Sequence, residues 1–169
     1  GSESIQKNVL KKLNTKQKYI IFNTPAQWIA KQWPVAHWQE LIRLILSEKK
    51  YKDYQLAFLG TASDNNSVAS LLTPFGENKR LENWCGIWAL EELPALLQHA
   101  SLVITTDSGP MHVASAVGTK TIGLFGVTDP KVLVVGNPFI HVISSYDSCP
   151  EKYHFNHHYY RYLFLSDCE

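Results

Sequence analysis

The residues best suited to chemistry lie in one short segment, Ile104-Thr105-Thr106-Asp107-Ser108-Gly109-Pro110-Met111-His112. An apolar run from Leu102 ends in Asp107-Ser108-Gly109, and the pattern predicts a short helix opening at once over 110–117. The first turn of a helix presents N–H groups without partners in its own ladder. It also carries the positive end of the helix dipole, so it suits a phosphate. Gly109 lets a ligand come close to the backbone, Ser108 adds a hydroxyl, and His112 falls in the first turn. Ala114, Ser115 and Ala116 are small enough for the helix to lie close on a sheet. The plainer alternative is that Ser108 caps the helix and His112 packs under a loop. A cap alone would not call for Asp107 as well, so the combination favours an anion site. A second cluster, Lys31-Gln32-Trp33-Pro34, follows the first apolar run, and there Lys31 could meet a phosphate as a point charge. Trp33 serves equally well as ordinary packing.

Other chemistries lack their signatures. There is no G-x-G-x-x-G after the first strand and no G-x-x-x-x-G-K-[ST], which disfavours nicotinamide hydride transfer and P-loop phosphoryl transfer. Ser108 has no G-x-S-x-G elbow, which weakens a hydrolase reading with Ser108 as nucleophile. His154, His157 and His158 have helical metal-ligand spacing near Cys149, but no carboxylate or second cysteine pair completes a set, so no metal is expected. Cys85, Cys149 and Cys168 are odd in number and scattered, which fits idle thiols in a reducing cytosol better than a Cys149–Cys168 bridge.

These residues need a frame to hold them. Apolar strands are predicted at 19–22, 55–59, 102–105, 121–125 and 139–143, with Trp84-Cys85-Gly86 in a short strand or loop. Val35, Trp38, Leu41, Ile42, Ile45 and Leu46 form the stripe of an amphipathic helix, and Pro34 suits its first turn. Asp64 can cap a helix running to about Leu72, a further helix spans 90–99, and Gly118 gives the helix at 110–117 a left-handed stop. The alternation predicts an α/β fold: a Rossmann-like parallel sheet with helices on both faces, binding ligand beyond the strands' carboxyl ends. Residues 1–17 read as a cloning scar followed by a linker or helix from an upstream region. The domain proper is expected over 18–145. The aromatic tail 146–169 should pack on it or on a missing partner.

The chain's 169 residues, 45% hydrophobic and 18% charged, fit about one packed domain. Its formal charge of +1 argues against nucleic acid as a partner. No apolar run reaches the roughly 18–20 residues of a membrane span, and Gly1-Ser2-Glu3-Ser4 does not open a signal peptide.

Five segments together resemble the heptosyltransferase family of glycosyltransferases (family 9), which builds the lipopolysaccharide inner core from ADP-heptose. They are Lys31-Gln32-Trp33-Pro34, Leu59-Gly60, Gly86 with Leu90-Glu91-Glu92-Leu93, Asp107-Ser108-Gly109-Pro110-Met111-His112, and Phe125-Gly126-Val127-Thr128-Asp129-Pro130, in family order over about 18–132. The resemblance implies the carboxyl-terminal, donor-binding half of a GT-B enzyme. In such an enzyme two Rossmann-like domains face one cleft, and the catalytic base comes from the amino-terminal domain. By this resemblance Lys31, Ser108, Gly109 and His112 hold the donor diphosphate and Asp107 faces the donor sugar. Asp64 contacts the ribose, and Gly86, Ile87 and Trp88 line the adenine. It further implies an ADP-sugar as donor substrate with no cofactor or metal, and a lipopolysaccharide-core acceptor met through the absent domain. The expected location is the cytoplasm, with peripheral contact at the cytoplasmic face of the inner membrane. The sequence departs from the family where Ala26-Gln27-Trp28 precede the lysine, where Trp88 replaces a smaller side chain, and where Val127 stands in Gly-Pro-Thr-Asp-Pro. Bulky Gln27 and Trp28 motivate the alternative of a nucleotide-binding or interaction module that keeps the fold without catalysis.

Overall fold

The computed structural model describes residues 2–25 and 31–148. Six strands form one wholly parallel sheet in the order β3-β2-β1-β4-β5-β6. They are β1 (Lys18–Asn23), β2 (Tyr54–Leu59), β3 (Leu81–Asn83), β4 (Leu102–Thr106), β5 (Thr121–Phe125) and β6 (Ile140–Ser144). The strand order reverses between β1 and β4, whose carboxyl ends diverge into loops on opposite sides and leave a crevice between them.

The central strands are apolar because both faces are covered. From β1, Tyr19 and Ile21 join one core with Ala57, Leu59 and Val103, while Ile20 and Phe22 join the other with Leu56, Phe58 and Ile104. Helices α4 (Leu93–Leu97) and α5 (Gly109–Ala116) close the first face through Leu96, Leu97 and Ala114. On the second, α2 (Val35–Ser47) and α3 (Asn65–Leu72) contribute Trp38, Ile42, Ile45, Val68 and Leu71. The Phe22 ring stacks on Phe58 at 4.8 Å and meets Trp38 edge-on at 6.1 Å. Within the expected α2 stripe, Val35 is 59% exposed: it begins the helix beyond the edge of the core. Pro34 sits one residue before that helix, and its carbonyl accepts the His37 and Trp38 N–H groups.

The amino-terminal segment forms helix α1 (Ser2–Lys12), and the residues that follow it complete its packing on the domain. Val9 and Leu13 are buried with Tyr19 and Leu96. Glu92, 4% exposed, accepts hydrogen bonds from Asn8 Nδ2, from Lys12 Nζ at 2.8 Å and from the Ala89 N–H, tying α1 to the turn before α4. Those bonds, with Lys12 foremost, hold the Glu92 carboxyl below its ordinary pKa.

Several local expectations shift. The third strand is Leu81–Asn83, and Trp84-Cys85-Gly86 forms the turn after it. The helix expected at 90–99 divides into a 3-10 turn, Leu90–Glu92, and the short α4, with Pro94 near the junction. Asp64 makes no side-chain cap on α3. Its carboxylate turns back to accept the Thr61 N–H at 2.7 Å and the Thr61 hydroxyl at 2.6 Å, closing the 3-10 turn Ala62–Asp64. A four-residue helix, α6 (Pro130–Leu133), was not anticipated; the Asp129 carboxylate caps it by accepting the Lys131 N–H at 2.8 Å. Gly118 does take the left-handed conformation after α5, at φ +81°.

Candidate functional site

The crevice is built where three chain segments leave the sheet. Asn23 ends β1, registers with Leu59 on one side and Thr105 on the other, and so stands at the centre of the carboxyl edge. Strands lie about 4.8 Å apart, so the loops leaving β2 and β4, one on each side of β1, emerge about 10 Å apart.

The β4 side gathers most of the candidate residues. Lys31 Nζ lies 2.6 Å from Asp107 Oδ2, with the lysine side chain 18% exposed and the aspartate 7%. That ion pair joins the loop after β1 to the loop after β4 across 76 residues of sequence. Beside it, Asn23 Nδ2 donates to Ser108 Oγ at 3.1 Å, and the Thr105 and Ser108 hydroxyls meet at 2.9 Å. Thr105 Oγ1 in turn donates to the Thr106 carbonyl at 2.9 Å. A hydroxyl has one proton. With Thr105 giving its own to Thr106, the Ser108 proton goes to Thr105, and Asn23 fills a Ser108 lone pair. The Ser108 hydroxyl is thereby directed into the protein.

Ser108 occupies the N-cap position of α5 without a side-chain capping bond, which removes the reading of it as a simple cap. The start of α5 is left open: Gly109 and His112 are exposed, and a Cβ at Gly109 would meet nothing within 4 Å. Pro110 brings no N–H, and the Met111 N–H is taken by the Ser108 carbonyl at 3.1 Å, so the Gly109 amide is the first-turn donor best placed for an anion. This end of the crevice offers a cation, a backbone N–H, a dipole and an imidazole to a negatively charged ligand.

On the β2 side, Asp64 and Gly86 come together around Gly60. The Gly86 N–H donates to the Gly60 carbonyl at 3.0 Å. A Cβ on Gly60 would lie 2.7 Å from Cys85 Sγ and 2.9 Å from Asp64 Cβ. Gly86 itself has φ +74°, and a Cβ there would lie 3.1 Å from Ala62. Burial, then the nearby Asp64 carboxylate, pushes the Cys85 thiol up to about 11, so it is protonated and inert at neutral pH. Ile87 is half exposed. The Trp88 ring packs 5.5 Å from Trp84 with Lys12 Nζ 5.3 Å from its centroid, and with Gly86 and Ile87 it lines a pocket that reaches α1. Among the described residues no cluster of His, Cys, Asp and Glu could hold a metal ion, and His154, His157, His158, Cys149 and Cys168 lie outside them.

Sequence reasoning passed over Asn23 and Thr105, the two buried polar residues that organise the Ser108 loop. The available signal was a polar residue ending a strand beside the switch point, a place where a core residue gains nothing by being polar.

A wholly parallel sheet in this order, with helices on both faces and a switch point between β1 and β4, defines a Rossmann-like α/β domain. The sequence model of glycosyltransferase family 9 (heptosyltransferase) matches residues 2–159, and the chain belongs to that family. Lipopolysaccharide heptosyltransferase 2 of Salmonella typhimurium is 31% identical over 105 residues, covering 60% of this chain and 28% of that protein. Lipopolysaccharide heptosyltransferase 3 of Escherichia coli is 31% identical over 118 residues, covering 69% of this chain and 33% of its own length. Among solved structures, E. coli ADP-heptose lps heptosyltransferase II superposes with a TM-score of 0.71 at 25% identity, over 85% of this chain and 44% of that one. E. coli heptosyltransferase WaaC with ADP shares the fold at a TM-score of 0.68 and 22% identity, over 86% of this chain and 42% of that one. The chain thus spans about a third of the curated relatives and under half of the solved ones. No helix among the described residues is long and apolar enough to cross a membrane.

Proposed function

We propose that this chain is the donor-binding, carboxyl-terminal half of a GT-B glycosyltransferase that transfers heptose from ADP-heptose to the lipopolysaccharide inner core. The observation that carries the reading is the Lys31–Asp107 pair set beside the uncapped start of α5, at the sheet's switch point. Lys31, the Gly109 amide and His112 receive the diphosphate. Asp107 faces the sugar, and Asp64, Gly86, Ile87 and Trp88 receive the nucleoside. Ser108 acts by holding the loop, since its hydroxyl is committed to Asn23 and Thr105.

Transfer of a glycosyl group breaks the bond from the sugar to the diphosphate, and negative charge grows on phosphate oxygens as it breaks. Fixed N–H donors and cations in a crevice lower the energy of that charge, and with Lys31, His112 and the helix start in place no metal is required. The acceptor hydroxyl must lose a proton, and a carboxylate suits that task. We assign it to the amino-terminal half outside this chain, together with the acceptor site, so this chain binds donor and transfers little. The acceptor is lipid-linked, so the whole enzyme would work in the cytoplasm against the inner face of the inner membrane.

Calorimetric titration of ADP and of ADP-heptose into the folded chain tests the reading. Binding of both is expected, weakened in Lys31→Ala and in His112→Ala. A folded chain that takes up neither ligand would favour a module that keeps the fold without donor use.

A further inference from the structure

The two faces of the sheet are unequally covered at one end. In β5 the burial alternates: Thr121, Gly123 and Phe125 are buried on the α5 side, whereas Ile122 and Leu124 on the other face are only half-buried. Thr106, Leu124 and Ile143 register across β4, β5 and β6 and therefore share that second face. They floor a groove of about 540 Å3 whose wall is α2, through Leu41 and Leu44. Leu44 is 54% exposed and Ile143 52%. Strands of a parallel sheet are ordinarily covered on both faces, and here the described helices of that face, α2 and α3, serve β1 and β2.

We propose that residues 149–169 of this same chain dock in the groove and complete the cover of β4–β6. Three observations point to this occupant over any other. The groove's far lip is formed by Ser144 and Ser145, so the chain leaves the described fold at Ser148 from the rim of the groove itself. The 21 residues that follow include Tyr153, Phe155, Tyr159, Tyr160, Tyr162, Leu163, Phe164 and Leu165, far more apolar surface than a solvated end carries. The groove also holds an unmet polar demand: Thr106 is 1% exposed, lines the groove, and its hydroxyl has no hydrogen-bond partner among the described residues. A tyrosine, with an apolar ring and a hydroxyl that both donates and accepts, answers the apolar floor and that hydroxyl together. The inference does not depend on the proposed function.

The test is thiol labelling of the full chain with a maleimide, read peptide by peptide by mass spectrometry. Leu44→Cys supplies the groove probe, Cys149→Ser and Cys168→Ser remove the tail thiols, and Cys85 stays as a slow internal control. With the native tail, the probe should react at least about tenfold more slowly than in the same chain carrying Phe155→Ser, Tyr159→Ser and Tyr162→Ser, because labelling then waits on local opening. A chain ending at Ser148 should react at the faster rate. If that shorter chain does not fold, the polar-tail variant still decides the question, with circular dichroism confirming its fold. Equal rates for native and polar tails would overturn the proposal. So would protection that disappears on dilution, which marks a second copy as the cover. Protection seen only when the upstream half of a longer protein is joined would overturn it too.

Discussion

Replacing Gly109 by alanine separates a glycine kept for a ligand from one kept for the fold. A Cβ at this position has nothing within 4 Å among the described residues, and the residue lies outside the left-handed region. It opens α5, where alanine is preferred to glycine by about 0.5–1 kcal/mol. Gly109→Ala should therefore match the parent or gain up to about 1 kcal/mol, about 2–4 °C in Tm for a domain of this size. Gly86→Ala is the counter-case. At φ +74° a side chain costs about 1–2 kcal/mol. Its Cβ would also press on the Ala62 Cα and Cβ at 3.1 Å, adding about 1–3 kcal/mol of overpacking. Urea unfolding followed by tryptophan fluorescence measures both variants, and ADP titration supplies the second readout. If phosphate seats on the start of α5, the new methyl stands between it and the Gly109 amide, and ADP affinity should fall about tenfold or more, or 1.4 kcal/mol, with stability intact. A stable Gly109→Ala chain that binds ADP like the parent would refute a phosphate at that amide. A Gly109→Ala chain losing more than about 1 kcal/mol would refute the open geometry of the loop.

Four other perturbations bear on the crevice and its support. Lys31→Met should destabilise by about 1–3 kcal/mol because it strands a nearly buried Asp107 carboxylate, and it should weaken ADP binding. Asp107→Asn removes a negative charge beside the phosphate and the counter-charge on Lys31, so ADP should bind more tightly; weaker binding in calorimetry would count against Lys31 as a phosphate ligand. Asn23→Ala should cost about 1–2 kcal/mol in urea unfolding and reduce ADP affinity at least as much as Ser108→Ala, since it releases the bond that holds the Ser108 loop. Glu92→Gln should lose about 1–2 kcal/mol at pH 7, allowing for the exposure of Lys12. The folded carboxyl titrates below its unfolded value of about 4.5, so its stabilisation is complete above that pH and is lost as pH falls through the folded pKa. Thermal melts of parent and variant should therefore begin to draw together as pH falls below about 4.5 and meet once it is below the folded pKa, and a gap that widened in acid would contradict the assignment.

What the sequence made legible follows from where burial leaves a periodic trace. Strand β1 is a solid apolar run because both its faces are covered, and α2 shows a stripe because only one of its faces is. The start of α5 could be read because a strand, a small loop and a helix abut within a few residues. The links that bind the site together leave no such trace. Lys31 meets Asp107 across 76 positions, Asn23 meets Ser108 across 85, and Lys12 reaches Glu92 across 80. Helix α1 left helix and linker both open in the sequence because only Val9 and Leu13 in its neighbourhood are buried. The contacts of Trp88 with Trp84 and Lys12 likewise leave no trace in the sequence, where only the family resemblance singles the residue out. Of the two readings of Trp84-Cys85-Gly86, strand or loop, the structure has the loop, and β3 before it is hard to see because an edge strand with Glu82 at its centre shows neither an apolar run nor a clean alternation.

On the proposed reading, the ion pair in the crevice keeps Lys31 in place between one ligand and the next. An ammonium at 18% exposure beside the positive end of α5 would be costly if left uncompensated. Asp107 compensates it at 2.6 Å and fixes it at the mouth of the switch point. On that reading an arriving diphosphate competes with the carboxylate, so the same contact that preserves the geometry lowers affinity for any weakly charged ligand. A phosphate carrying more charge, reached at once by the Gly109 amide and the helix dipole, is the kind of ligand that wins this exchange. Selection by charge is thus built into the pairing, and salt should weaken ADP binding here far more than it weakens the buried pair itself.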